Sequence, residues 1–154
     1  MMKRFISILV VALTIFSNVL LSASASAVNN NEITYIYYED GSVLKICTEE
    51  TAARASGTKT GKKTYEYVDS NNEAVWTAIL YGTFTYNGTT SACTNASCDI
   101  SIYNNAYSVG NKTVSKSGST ASTNFTMIRK LLGITISQKD YTITLGCDKN
   151  GTLS

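Results

Sequence analysis

The sequence of 154 residues contains no histidine and no proline. Without histidine, Ser-His and Cys-His catalytic units and histidine-ligated metal sites are excluded. Without proline, the chain lacks one means of protecting the edges of a β-sheet, a role that lysines at 112, 116, 139 and 149 can fill. Beyond the N-terminal segment, no stretch of ten or more residues has a convincing helical period. The absences therefore favour a β-fold without histidine-based chemistry.

The first 27 residues have the three parts of a secretory signal. Met1–Arg4 carries two positive charges, Phe5–Leu21 is almost wholly apolar, and Ser22–Ala27 contains only small residues. We predict an N-terminal signal helix over residues 1–27 that is removed on export. Removal takes two of the 13 basic residues, so eleven remain against 11 acidic residues. The expected product is a secreted, extracellular protein without net charge, and we predict no nucleic-acid partner and no membrane association after cleavage.

An even number of cysteines, namely Cys47, Cys93, Cys98 and Cys147, suits a small exported protein. Disulfides persist outside the cell, so we predict two structural bridges, for which three pairings are open. A four-thiolate zinc site needs two closely spaced pairs, and only Cys93 and Cys98 are near each other in sequence. The cysteines therefore predict disulfides, and we predict no metal ligands and no cofactor.

Alternation with a period of two predicts that most of the chain is β-structure. The clearest strand places Trp76, Ala78, Leu80, Gly82, Phe84 and Tyr86 on one face. In the last run Cys147 shares a face with Ile143 and Leu145, so it should point into the core. Asn87-Gly88 and Ser117-Gly118 are typical of turns. The β-like runs cover 33–38, 42–47, 76–86, 99–103, 112–116, 120–129, 133–138 and 141–147. We predict a disulfide-bridged, antiparallel β-sandwich, immunoglobulin-like or related, of about 7 to 9 strands.

Three segments interrupt the β-pattern. Thr48–Arg54 is predicted to form a short helix, with Thr48 as N-cap and two glutamates in the first turn. Ser56–Lys63 is expected to be a connector, and Asn87–Cys98 a polar loop. A boundary near Ala52 would separate an N-terminal appendage or propeptide, residues 28–52, from a β-sandwich domain over 53–154.

No constellation of catalytic residues emerges from the sequence. Ser56–Gly61 contains both the S-x-x-K and K-T-G motifs of penicillin-recognising serine enzymes, but overlapping motifs cannot converge on one substrate. A glycosidase needs two suitably spaced acids. In Glu39-Asp40 and Glu49-Glu50 the acids are adjacent, and strand neighbours point to opposite faces. We predict no catalytic residues, and a small carboxylate-dependent hydrolase is the second alternative.

Ten tyrosines are the main surplus in the composition. Exposed tyrosines can stack on sugar rings or anchor a protein partner. A possible binding surface consists of Tyr35, Tyr37, Tyr81, Tyr103 and Tyr107. We therefore expect a non-catalytic extracellular or cell-surface binding module whose partner is a protein or a glycan. The alternative is an antimicrobial or toxin-like exoprotein, or a factor protecting against one, although zero net charge weakens direct attack on membranes.

The segment from Trp76 to Gly88 (WTAILYGTFTYNG) is followed by Cys93, by Leu132-Gly133-Ile134, and by Thr144–Cys147 with Gly151 and Ser154. Together these motifs resemble an uncharacterised group of small exported proteins of Gram-positive bacteria that has no known activity. The resemblance covers roughly residues 53–154. Counterparts of Cys93 and Cys147 recur in that group, so the resemblance favours a bridge between these two. It implies export and a shared core, and carries over no catalytic residue.

Overall fold

The computed structural model describes residues 32–54 and 57–154, so the expected signal segment lies outside the described residues. Eight strands make up the described fold: β1 Glu32–Tyr37, β2 Val43–Arg54, β3 Thr58–Val68, β4 Ala74–Tyr86, β5 Ser91–Ile102, β6 Tyr107–Ser117, β7 Thr120–Leu131 and β8 Ile134–Gly146. No helix occurs in these two ranges, and thus none that is long and apolar enough to cross a membrane. The prediction of an all-β fold is confirmed.

The strands form two antiparallel sheets, β1-β2-β3-β4-β5 and β6-β7-β8. Every neighbouring pair is consecutive in the chain, so each sheet is a meander. The immunoglobulin fold has Greek-key connections instead. The structure therefore confirms two antiparallel sheets but differs from the expected immunoglobulin-like topology.

The core lies between the two sheets and follows the predicted alternation. On β4, Trp76, Leu80 and Phe84 are almost fully buried, whereas Thr77, Ile79, Tyr81 and Thr83 alternate with the buried residues and stay partly exposed. The three-stranded sheet contributes Ala121, Phe125 and Met127 from β7, and Ile143, Leu145 and Cys147 from the end of the chain. The expected inward orientation of Cys147 is confirmed, since it is 3% exposed. The hydroxyl of the buried Thr123 donates to the Thr113 carbonyl at 2.8 Å, so that polar group is satisfied.

Thr48–Arg54 is a strand, and the prediction of a short helix was wrong. This segment is the second half of β2, which continues through Ala52 and pairs with β3. Lys62 lies opposite Glu49 with an N–O distance of 3.2 Å, and Glu50 binds Lys59. Of the residues expected to form a connector, those from Thr58 to Lys63 are the first half of β3. Cross-strand hydrogen bonds and charge pairs outweigh a helix too short to be stable by itself.

Two further boundaries differ from the expectation. Most of the expected loop Asn87–Cys98 belongs to β5, which begins at Ser91. Cys93 and Cys98 are among the inward-facing residues of β5. Their thiols take buried positions that larger apolar side chains usually occupy in a strand. The separate runs 133–138 and 141–147 are one long strand, β8, apart from their end residues.

Lysines of β6 cover the edge of the neighbouring sheet. β5 and β6 are edge strands of the two sheets. Lys112 Nζ donates to the Cys98 carbonyl at 3.0 Å, and Lys116 Nζ donates to the Thr94 carbonyl at 2.5 Å. The expected use of these two lysines at a sheet edge is therefore confirmed, and they act by occupying carbonyls of β5.

Gly82 gives a test of the sheet-to-sheet packing. A Cβ atom at this position would lie 2.6 Å from the Phe84 ring and 3.2 Å from Leu145 Cδ2. We expect Gly82→Val to lower the free energy of unfolding by about 1–3 kcal/mol through overpacking, measured by urea denaturation. Thr83→Val, on the outer face of the same strand, is the control and should change it by less than about 0.5 kcal/mol. Equal effects of the two variants would contradict the packing described.

Candidate functional site

A cavity of about 190 Å³ opens between the two sheets at one end of the fold. Both sheets and the β1–β2 turn contribute to its lining: Tyr38, Asp40, Tyr67, Trp76, Tyr107, Met127, Arg129, Ser137, Lys139 and Tyr141. We call this cavity the tyrosine pocket, after Tyr38, Tyr67, Tyr107 and Tyr141. It is smaller than the roughly 300–1,000 Å³ of pockets for drug-sized ligands, so it suits one ring or the end of a longer molecule.

Stacked aromatic rings form the inner wall of the tyrosine pocket. Trp76, only 1% exposed, lies at its floor. Tyr67 stacks on Trp76 with ring centroids 5.6 Å apart and an interplanar angle of 13°. Tyr141 meets the indole edge-on at 5.0 Å, and Phe125 stacks on Tyr141 at 5.5 Å. These geometries are the favoured ones for aromatic pairs, so the wall is well packed before any ligand binds.

Two cationic side chains lie at the mouth of the tyrosine pocket. Lys139 Nζ is 4.1 Å from the centroid of the Tyr38 ring and 5.4 Å from that of Tyr141. The guanidinium carbon of Arg129 is 5.8 Å from the centroid of the Tyr107 ring. Both cations are exposed and rest on ring faces, where cation–π attraction holds them. They are therefore available to an anionic group that enters the mouth.

A chain of hydrogen bonds connects the pocket wall to Asp40, the one acidic side chain among the described residues that line it. Tyr67 Oη donates to Ser42 Oγ at 2.8 Å, and Ser42 Oγ donates to Asp40 Oδ1 at 2.5 Å. The backbone N–H of Ser42 also donates to Asp40 Oδ1, at 3.0 Å. These two bonds from Ser42, with a smaller effect of Arg129, hold the pKa of Asp40 below its usual value. Asp40 is thus ionised at neutral pH and fixes the Tyr67 hydroxyl in place.

Two phenols of the pocket wall, those of Tyr107 and Tyr141, remain neutral at physiological pH. Burial raises the pKa of Tyr141 far above its usual value, and the nearby phenols of Tyr38 and Tyr67 raise it further. Burial also raises the pKa of Tyr107, and Tyr67 adds to the rise while Arg129 opposes it. A neutral phenol both donates and accepts a hydrogen bond. The wall can therefore bind hydroxyl groups, and none of these groups is tuned to transfer protons near pH 7.

The five tyrosines predicted as a binding surface are not brought together. Tyr107 lines the tyrosine pocket. Tyr35 and Tyr37 stack on each other at 6.4 Å on the outer face of β1, beside an open groove of about 480 Å³. Tyr81 lies between Lys62 and Ser97 on the outer face of the same sheet. Tyr103, 61% exposed, follows β5. A single exposed row is therefore absent from the described residues.

Sequence reasoning missed most of the pocket. Tyr38, Tyr67 and Arg129 were not singled out, Lys139 was expected only to protect a sheet edge, and Tyr141 was only the first residue of a predicted β-run. Tyr67 and Trp76 are cross-strand partners on the inner face, as are Phe125 and Tyr141. The alternation of inward and outward residues along β3 and β8 predicts that these rings face inward, but it predicts nothing more about them. The gap between the sheets decides that several of them line a cavity.

The acids expected to form pairs are separated or engaged elsewhere. Glu49 and Glu50 each bind a lysine of β3. Asp40 lines the tyrosine pocket, whereas its neighbour Glu39 does not. Among the described residues, no group of three or more Cys, Asp or Glu side chains is placed to hold a metal ion.

The four cysteines are free thiols in this structure. Cys93 and Cys147 lie at one corner of the sandwich, because their N–H groups donate to the adjacent carbonyls of Gly118, at 2.7 Å, and Ser119, at 3.0 Å. Burial raises the pKa of Cys147, and Cys93 contributes to the rise. Cys98 faces inward on β5, whereas Cys47 lies on the outer face of β2, with two strands between them. A Cys47–Cys98 bridge would have to cross the sheet, so this pairing does not fit the fold, and no disulfide joins the described cysteines.

Comparisons with known proteins do not assign this chain to a family. No protein-family model and no curated protein matches the chain. A crystal structure of a hypothetical protein, lmo2686 from Listeria monocytogenes EGD-e, is similar, with 20% sequence identity and a TM-score of 0.48. The match covers 81% of this chain and 92% of that one.

Ser42→Ala tests the hydrogen-bond chain behind the pocket. It removes the acceptor of Tyr67 and a donor to Asp40, and we expect a loss of about 1 kcal/mol in unfolding free energy. Because the folded pKa of Asp40 is depressed, its stabilisation is present above its usual pKa of 3.8 and is lost as pH falls through the folded value. In the variant the Asp40 pKa should rise, as measured by carboxyl NMR titration. Ser101→Ala, on an exposed position of β5, is the control, and an unchanged Asp40 pKa in Ser42→Ala would contradict the assignment.

Proposed function

We propose that the protein is a secreted, non-catalytic binding module, and that its ligand enters the tyrosine pocket. The observation that carries this proposal is the combination of a preformed aromatic wall, neutral phenols and two exposed cations in one cavity. Concave, largely apolar sites with a few convergent polar groups are typical of small-ligand sites. The signal-like segment and the cysteines of the sequence support an extracellular location.

The chemistry of the pocket favours a sugar unit that bears an acidic group. Aromatic faces stack on the apolar face of a sugar ring, and phenol hydroxyls exchange hydrogen bonds with its hydroxyl groups. Arg129 and Lys139 favour a carboxylate, sulfate or phosphate substituent at the mouth. Asp40 is held by Ser42 and can accept from a ligand hydroxyl through its other oxygen. An acidic glycan is therefore the ligand class proposed.

The same arrangement argues against the hydrolase alternative for this pocket. Acid–base hydrolysis of a glycoside needs two carboxyl groups flanking the scissile bond, and Asp40 alone lines the cavity. The phenols of Tyr107 and Tyr141 have raised pKa values and stay protonated at neutral pH. These features support binding without turnover.

We also propose that export leads to one disulfide, between Cys93 and Cys147. The neighbouring hydrogen bonds to Gly118 and Ser119 support this pairing. The bridge would connect the start of β5 to the end of β8 and so fasten one sheet to the other. Cys47 and Cys98 would stay reduced within the chain, because they lie on opposite faces of the sheet.

The ligand proposal is tested on an array of acidic and neutral glycans, followed by calorimetry with any glycan that binds. We expect saturable binding of an acidic glycan, and an affinity about fivefold lower in Lys139→Gln and in Arg129→Gln because each loses one exposed charge contact. Lys149→Gln, whose cation does not line the pocket, is the matched control. Turnover of the glycan, or an affinity in both pocket variants that is unchanged from wild type, would contradict the proposal.

The disulfide proposal is tested by peptide mapping of protein from the culture medium under non-reducing conditions. We expect a peptide that links Cys93 to Cys147, while Cys47 and Cys98 are alkylated. Replacing Cys93 by Ser should then lower the free energy of unfolding by about 2–4 kcal/mol, mainly because the unfolded chain loses a constraint. Cys47→Ser is the control. Four alkylated cysteines in the exported protein would rule the bridge out.

A further inference from the structure

The tip of the β7–β8 hairpin carries four exposed apolar side chains. Leu131 is 61% exposed, Leu132 96%, Ile134 70% and Ile136 50%. They lie within six consecutive residues, on either side of the turn that joins the two strands. A contiguous exposed apolar group of this kind is typical of a contact site. Within residues 32–54 and 57–154, these four side chains remain half or more exposed.

The turn itself is built around an unfavourable residue. Leu132 has φ +50° and Gly133 has φ +81°. The other described residues with positive φ are asparagine or glycine, as such backbone conformations require. A branched, apolar residue is disfavoured there, so local folding does not explain why leucine occupies the outermost position. The strained backbone and the exposed side chain of Leu132 together indicate that this leucine contacts another molecule.

The base of the hairpin is positively charged. Arg129, Lys130 and Lys139 lie at its base, and residues 129–139 contain no acid. Charges over the expected exported chain balance, which counts against attraction of the whole molecule to an anionic surface. The local distribution is different, because cations follow directly behind the apolar tip.

We infer that the hairpin tip inserts shallowly into a lipid bilayer with anionic headgroups. Apolar residues at the end and cations behind them match the order of acyl chains and headgroups at a membrane surface. Interfacial segments reach roughly 5–10 Å deep, the length of two or three strand residues. A protein partner is disfavoured, since a standard interface uses roughly 20–30 residues a side and the tip offers only a few on a convex surface. This inference goes beyond the binding of a glycan in the pocket.

The test compares wild type with L132N on vesicles of phosphatidylcholine, with or without one-third phosphatidylglycerol. Asparagine tolerates positive φ, so L132N should keep or raise the melting temperature while its binding to anionic vesicles falls about tenfold. Val114→Asn, an exposed apolar position on β6, is the matched control and should bind like wild type. K130Q should weaken the preference for anionic over neutral vesicles.

A second readout reports on the tip alone. In L132W the added indole should shift its emission to the blue on anionic vesicles and be quenched by shallowly brominated lipid, while Trp76 stays buried as a constant background. Absence of wild-type binding to anionic vesicles, equal binding of L132N, or no spectral shift in L132W would each overturn the inference. So would self-association through the tip that L132N abolishes. The pocket-lining residues are unchanged in L132N, so glycan binding is tested separately.

Discussion

The packing of Trp76 between the two sheets is the contact on which the rest of the structure depends. The indole comes from β4 and meets Phe125 of β7 edge-on at 5.9 Å and Tyr141 of β8 at 5.0 Å, so it joins the five-stranded sheet to the three-stranded one. Its opposite partner, Tyr67, stacks flat on it from β3. The ring that closes the core is therefore also the floor of the tyrosine pocket. Because close-packed interiors transmit strain, the shape of the pocket is set by the same contacts that hold the sheets together.

Burial of the phenols also determines where charged groups occur in the site. Rings such as Tyr141 keep their protons because the anionic form is poorly solvated between the sheets. Ionised groups are consequently confined to the mouth, where Arg129, Lys139 and Asp40 remain in contact with water. A neutral, hydrogen-bonding interior with charge only at its entrance suits recognition of a polyol with an acidic substituent. It does not suit chemistry that requires a proton to leave the wall.

Much of the fold could be predicted from the sequence, and the failures have physical causes. The large, regularly alternating side chains of β4 predicted its inner face correctly. Thr48–Arg54 and the start of β5 were missed, since their pairing depends on partners such as Lys62 and on small inward thiols, neither of which creates a local period. The pocket could not be predicted, because alternation places Tyr67 and Tyr141 on inner faces without giving the gap between the sheets. The apolar tip resembles an ordinary strand in sequence, and only its exposure and the φ of Leu132 distinguish it.

The pocket and the hairpin tip share residues, which relates the two proposals. Arg129 and Lys139 stand at the mouth of the pocket and at the base of the hairpin. A molecule held on a bilayer by Leu132 would therefore have the mouth of its pocket close to that surface. A ligand attached to the surface would then be bound at high effective concentration, even if the pocket alone has modest affinity. The small size of the pocket is consistent with this arrangement, because two weak contacts made by one molecule can hold it where one strong contact is lacking.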